Sequence, residues 1–512
     1  MARTAYTPLV QEWQHELPER GEAKRPTLRC DRNLGARNTC VAALIVSWLI
    51  GGALTGLGVY VIHFLGPTYH LHYWEFYWDF YSFTDLYVAS RALEGLKLLA
   101  NIFLTFLIES LGYIHTASLR WTLFRQGRLA FSSNLRLCNS TGGFGPNTWY
   151  MNVIFTIATV LAYGSASLFF VIVSSGDIGT LSFCVVTGIF LGVSILVMAL
   201  IATWSLFSTR VPTWSSSPLH ITLAAIGEGG LEARPGRCML GVQDINKESA
   251  PSPPKKKQIA ALASRKAAAS IVLMLIVIDV GLYVVSAVLL SQWLNETTNI
   301  PVGGPIPAHT GWDDEHMMII VPDSLRSAHI YITIVLYATL LWPLTLCLHA
   351  LELVVNLLRD AHCWRTAATR KGCALKRYDS IWAAFTNWRS VVLFVFKAIM
   401  HWVFGLTAIA YQPSSSDYSV STAPNVLLSW RPWQSVVLAG VVNLCIVFFS
   451  LAGRYKLKGP QPAAYGHLQT LANLADEWSP TLYWGHKRDG PPCHAGTSDT
   501  PLDPIRMEAL YA

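Results

Sequence analysis

Residues 180–204 read TLSFCVVTGIFLGVSILVMALIATW, a run without Asp, Glu, Lys, Arg or His. At a rise of about 1.5 Å per residue, such a helix covers the ~30 Å hydrocarbon core of a bilayer. Seven more stretches read the same way: 40–65, 96–115, 149–173, 268–291, 328–350, 391–411 and 435–452. Asn101 and Glu109 interrupt the second, and Pro343 predicts a kink in the sixth. None alternates with period two, which excludes a membrane barrel.

Composition agrees. The 512 residues are 52% hydrophobic and only 13% charged, against roughly 25% charged in soluble domains. Mean hydropathy is +0.37. These values exclude an ordinary cytosolic enzyme, a disordered chain and a secreted disulfide scaffold. The ten cysteines include no CxxC pair, so neither a disulfide framework nor a zinc site is expected.

Charge placement gives the orientation. Counting Lys and Arg, the N-terminal segment holds seven. The loops after spans two, four and six hold four, nine and seven, and the C-terminal tail holds six. The alternate loops hold one, none, one and one. The positive-inside rule places both termini in the cytosol. The expected fold is an all-α membrane bundle of about eight transmembrane helices. It divides into a cytosolic tail (1–39), helices 1–4 (40–204), a cytosolic loop (205–267), helices 5–8 (268–452) and a cytosolic C-terminal tail (453–512). The first apolar run is too long for a cleavable signal and should act as a signal anchor in the plasma membrane or an endomembrane.

The loops carry secondary signals. SAPSPPKKK at 249–257 predicts poor order in the second half of the 205–267 loop. Lys255, Lys256, Lys257, Arg265 and Lys266 precede span five and are placed to meet anionic lipid. The external sequon at Asn295 is a glycosylation candidate. Asp313, Asp314, Glu315 and Asp323 are acidic residues of that same loop. An aromatic stretch at 69–81 reads as an interfacial belt, although His70, His72, Glu75 and Asp79 within it form a metal set on paper. In the tail, Leu468, Leu471, Leu474, Ala475 and Trp478 recur at helical spacing and predict a short amphipathic helix.

No GxxxxGK[ST], HExxH, GxSxG or GxGxxG occurs, so no enzyme, cofactor or nucleic-acid site is expected. The informative residues are ionisable groups in or beside spans: Glu109, Asp279, His349, Glu352, Lys397 and His401. Such groups cost at least ~2.5–3.5 kcal/mol in the bilayer and usually face partners or water. Glu109 and Lys397 both lie about 9 Å from the basic boundary, whereas Asp279 and His401 lie near mid-membrane at roughly 15 Å. Matched depth therefore predicts two pairs, Glu109 with Lys397 and Asp279 with His401. They form either a polar pathway or packing ion pairs. GxxxG at Gly52/Gly56 and at Gly188/Gly192 predicts close helix contacts. No internal repeat between the halves is legible.

Several stretches resemble a family of multi-pass membrane proteins of filamentous fungi. They are SLRWTLFRQGRLAFSSNLRL (118–137), GPNTWYMN (145–152), RVPTWSSSPLHITLA (210–224), FKAIMHWVFGL (396–406), GPQPAAYGHLQTLANLADEW (459–478) and CHAGTSD (493–499). The resemblance implies a fungal multi-pass protein and carries no assigned activity. Read physically, 118–137 suggests a basic amphipathic segment on the inner leaflet, and Thr213, Ser215, Ser216 and Ser217 are phosphate acceptors by residue type. Two functions follow as expectations. One is a transporter, channel or sensor using the buried ionisable groups. The other is a non-catalytic scaffold that recruits partners through the cytosolic loops.

Overall fold

The computed structural model describes residues 32–65, 80–174, 178–248, 251–298, 317–320, 329–375, 388–409 and 426–512. The described residues are mostly helical and include eight helices long and apolar enough to cross a membrane. They are α1 (Leu34–Tyr60), α2 (Ser90–Arg125), α3 (Trp149–Phe169), α4 (Val185–Ser208), α6 (Lys266–Thr298), α7 (His329–Ala350), α9 (Trp388–Thr407) and α10 (Pro432–Arg454). Three shorter helices, α5 (Pro218–Gly227), α8 (Glu352–Ala367) and α11 (Leu468–Leu474), lie at the basic end. At 36 residues, α2 is about 54 Å long, more than the ~30 Å a bilayer core requires.

The purely helical expectation needs correction at the opposite end. There the described connectors form strands: β1 (Phe80–Ala89), β2 (Phe170–Ser174), β3 (Ile178–Cys184), β5 (Met317–Ile320), β7 (Ala408–Ile409) and β8 (Val426–Trp430). They form two antiparallel three-stranded sheets, ordered β1-β3-β2 and β5-β8-β7. The apolar residues at 170–173, 180–184 and 408–409 had read as helix. In a short connector, strand pairing also satisfies backbone N–H and C=O groups, and apolarity alone does not distinguish the two solutions.

The sheets reveal an internal duplication. In each half, a strand precedes the second span, a strand follows the third, and a strand precedes the fourth. The strand before the fourth span is central in both sheets. Helix packing repeats as well. The first span packs on the fourth in each half (α1 on α4, α6 on α10), the third on the fourth (α3 on α4, α9 on α10), and the first on the second. The halves meet through α2 on α9 and α3 on α7, which exchange under the same correspondence. The chain is thus two four-helix halves of the same topology and the same direction across the bundle, with α2, α3, α7 and α9 at the contact between them.

Small residues set one tight contact. A Cβ at Gly192 would stand 2.5 Å from Thr55 Oγ1 and 2.8 Å from Gly51 O, and one at Gly58 would stand 2.4 Å from Ile189. Gly52 and Gly56 have open space around them. The α1–α4 contact therefore uses Gly51 and Gly58 of α1 rather than Gly52 and Gly56, while of the second GxxxG Gly192 makes the contact and Gly188 packs on Phe169.

The basic end is folded. Four separated segments contribute one apolar core, including Leu219 and Leu223 of α5, Trp364 of α8, Leu471 and Leu474 of α11, and Trp484 and Tyr511 of the C-terminal segment. The hairpin β10 (Thr481–Arg488) and β11 (His494–Ser498) pairs with β6 (Cys373–Ala374). A second ribbon joins β4 (Lys257–Ala260) to β9 (Lys456–Lys458), and Ser252 exchanges two backbone hydrogen bonds with Tyr511. This corrects three expectations. The described residues 251–267 are ordered by pairing with the chain's end. The amphipathic α11 buries its apolar face in this core rather than lying on lipid. Cys363 and Cys373 form a disulfide across the α8–β6 turn, where the reversal brings their Cα atoms to 5.6 Å. Each contact joins residues distant in sequence or across a turn, so local pattern does not show it.

Asp476 organises the hairpin. It accepts from Thr497 N at 2.7 Å, Lys487 Nζ at 3.0 Å and His494 Nε2 at 3.2 Å. Burial drives this carboxyl upward, but His494, Lys487 and the Thr497 N–H outweigh it and hold the pKa at about 2. His494 is pushed up to about 10 by the Asp476 and Cys238 hydrogen bonds, against burial.

Two outcomes follow. Gly192→Val should destabilise the detergent-solubilised protein by about 1–3 kcal/mol, whereas Gly52→Ala should be silent; equal melting temperatures would contradict the α1–α4 contact. The raised His494 contributes stability that is full below its ordinary 6.5 and is lost as pH rises toward about 10. The lowered Asp476 contributes stability that is full above 3.8 and is lost as pH falls toward about 2. Melting of the basic-end core, followed by Trp fluorescence, should therefore decline above pH ~6.5 in the wild type and flatten there in His494→Gln.

Candidate functional site

The four helices where the halves meet bring seven polar side chains together: Thr105 and Glu109 of α2, Tyr163 of α3, Thr345 and His349 of α7, and Lys397 and His401 of α9. Glu109 Oε1 accepts from Lys397 Nζ at 2.5 Å and from His349 Nδ1 at 3.2 Å. The Lys397 side chain is 2% exposed and that of Glu109 is 27% exposed. The carboxylate thus faces an accessible space while its ammonium partner is enclosed.

Hydrogen-bond chemistry fixes two protons. His401 Nδ1 lies 2.6 Å from the Lys397 carbonyl oxygen. That oxygen only accepts, so Nδ1 carries a proton and, in the neutral ring, Nε2 accepts from the Thr345 hydroxyl at 3.1 Å. By the same reasoning His349 Nδ1 donates to Glu109. His349 Nε2 is buried and meets no hydrogen-bond partner among the described residues. Tyr163 donates to Thr105 Oγ1 at 3.2 Å and stacks on His401, with ring centroids 3.6 Å apart and planes within 8°.

The duplication passes through this cluster. Thr105 and Glu109 sit one turn apart on the second span of the first half, as Thr345 and His349 do on the second span of the second half. Tyr163 and His401 each lie six residues before the end of the third span, at Phe169 and Thr407. The Thr105–Tyr163 and Thr345–His401 hydrogen bonds correspond, and the two rings stack where the halves meet. One turn before Tyr163 the residue equivalent to Lys397 is Thr159, which bonds the Phe155 carbonyl. The scaffold is duplicated and its chemistry has diverged.

Toward the basic end, the Arg136 guanidinium lies over Phe155 at 4.4 Å and fills the gap beside Gly112. Glu352 opens α8, is exposed, and lies in electrostatic range of Glu109, Lys397, Arg136 and Arg120. Arg120 donates to Ser215 O at 3.3 Å, Trp121 to Thr213 O at 3.3 Å, and Tyr113 bonds Trp214 O. The 118–125 residues therefore continue α2 into protein rather than lying on a leaflet. Thr213 and Ser215 are buried, which removes them as phosphate acceptors in this fold.

The Glu109–Lys397 pair stands as depth predicted. The second pairing does not. Asp279 accepts from Asn443 Nδ2 at 3.2 Å between α6 and α10, while His401 bonds Thr345. Equal depth fixes height in the bundle but not which helices are neighbours. Charge within spans does not reveal Tyr163, Thr105 and Thr345, which are uncharged, or Arg136, which lies outside the spans. The repeated Thr-x3-Glu and Thr-x3-His spacing was a usable signal.

Other sequence candidates lie apart from this cluster. Lys255 pairs with Asp244 at 2.9 Å, and Arg265 donates to Ser133 O at 2.9 Å and stacks over Phe131. Lys256, Lys257 and Lys266 are exposed. Asn295 lies in the last turns of α6 rather than in a loop. His70, His72, Glu75, Asp79, Asp313, Asp314, Glu315 and Asp323 fall outside the described residues. No family model, no curated protein and no solved structure matches the chain.

Proposed function

We propose that this membrane protein moves a proton or a small ionic solute past the Glu109–His349–Lys397 cluster, with its basic end in the cytosol. The observation that carries the reading is the position of that cluster at the contact between two repeated halves. In transporters built from repeats, coupling sites lie at the repeat interface. Ionisable groups held inside a membrane bundle mark such pathways. Glu109 is bonded to an imidazole and an ammonium at once, so a proton on the carboxyl or the ring changes the charge balance around Lys397. The basic loops support the cytosolic assignment. The Cys363–Cys373 disulfide opposes it, since cytosolic thiols are kept reduced.

A second reading rests on the folded basic-end core, which gives the chain a rigid surface for partner proteins. That role needs no flux. Proteoliposomes loaded with a pH-sensitive dye separate the two. The pathway reading expects the wild type to dissipate an imposed pH gradient faster than empty vesicles, and Glu109→Gln or Lys397→Ala to slow this by about 10-fold or more, a magnitude typical of losing a positioned proton-transfer group. A wild type no faster than empty vesicles, for protons and for small anions and cations added in turn, would leave the scaffold role.

A further inference from the structure

At the end of α8 the chain reverses through residues 368–372, and the reversal frames an open surface concavity of about 500 Å³ lined by His362, Arg365, Thr366, Thr369, Arg370 and Lys371. None of its lining residues is acidic, and among the described residues no carboxylate lies within ion-pair distance of Arg365, Arg370 or Lys371. The loop is held in shape by the Cys363–Cys373 disulfide, by the β6–β10 pairing, and by Gly372. The φ of Gly372 is +65°, and a Cβ there would stand 2.6 Å from Thr481 and 2.8 Å from Tyr483. The helix dipole favours Arg365, which lies in the last turn of α8, but gives no such support to Arg370 and Lys371 beyond it. A preorganised cationic concavity is costly to assemble without an anion, since like charges repel there.

Its location identifies the source of the anion. The Arg365 guanidinium lies 5.5 Å from the ring of Tyr455, which directly follows the last residue of α10. Arg389, in the first turn of α9, lies in electrostatic range of His362 and Arg365, next to the exposed Trp388. Half-exposed Tyr and Trp at the ends of spans mark the headgroup layer. A second concavity of about 350 Å³ includes Lys255, Lys257 and Lys456 in its lining, and Lys456 directly follows Tyr455 in the chain.

We propose that the His362–Lys371 concavity binds the phosphate headgroup of an anionic phospholipid in the leaflet at the basic end. Arginine offers a planar fork to phosphate oxygens, with Lys371 as a point charge and the Thr366 and Thr369 hydroxyls at the wall. The site is independent of any transport through the bundle.

The test uses the full-length protein in detergent, with bound lipid read by native mass spectrometry. The probes are phosphatidylinositol phosphate, phosphatidylcholine and a soluble inositol phosphate. The expected result is preferential retention of phosphatidylinositol phosphate over phosphatidylcholine, reduced about fivefold for each basic residue neutralised in R365Q, R370Q and K371Q. Lys371→Arg should keep it. If the triple variant is not monodisperse, the single exposed-loop variants R370Q and K371Q give the reading. Unchanged retention in monodisperse variants, or equal retention of phosphatidylcholine, would overturn the proposal. Binding of the soluble inositol phosphate without the lipid would also overturn it, and would assign the concavity to a free phosphate compound.

Discussion

A lysine ammonium enclosed among four membrane helices must find its counter-charge inside the protein. Lys397 finds it in Glu109, and this constraint reaches through the bundle. Insertion of an isolated Lys or Asp at the centre of a membrane helix costs about 2.5–3.5 kcal/mol. The pair removes that cost only if α2 and α9 lie side by side, so it helps choose the neighbour across the two halves. The same carboxylate holds His349 of α7, and the Lys397 carbonyl orients His401 against Tyr163 of α3. One ion pair thus ties together all four helices at the contact between the halves, where dispersion packing against lipid-like surroundings gives little preference of partner.

The duplication explains why the polar groups converge. Two halves of the same topology, facing each other through their second and third spans, bring equivalent positions of those spans to one place. A polar residue on an inner face of one half therefore meets its counterpart or the counterpart's neighbour. Tyr163 and His401 are such counterparts, as are Glu109 and His349. Their divergence turns a symmetric contact into an asymmetric set with one carboxylate, one ammonium and two imidazoles. Asp279 lies outside this convergence, on α6 against α10, where it accepts a hydrogen bond from Asn443.

Long charge-free runs made the spans legible in sequence, because a bilayer sets both their length and their polarity. The Glu109–Lys397 pair was legible because burial of opposite charges at one depth leaves few alternatives. The Asp279–His401 pairing failed on the same logic: depth is one coordinate, and neighbourhood around the bundle needs two more. The sheets were hidden because apolar residues near a membrane surface suit strand and helix alike. The basic-end core was hidden because Leu219, Trp364, Leu471 and Tyr511 come from segments that are individually short and polar-flanked. The repeat was hidden because it survives in topology and in single positions such as Thr105 and Thr345, while the residues around them have changed.

The central claim is that Glu109 and Lys397 are energetically one unit across the two halves. A double-mutant cycle on thermal unfolding of the solubilised protein, with Glu109→Gln, Lys397→Met and both together, measures this directly. Each single change strands a charge and should cost about 3–5 kcal/mol, and the double change should recover most of that loss. Additive losses in the double variant would contradict the account.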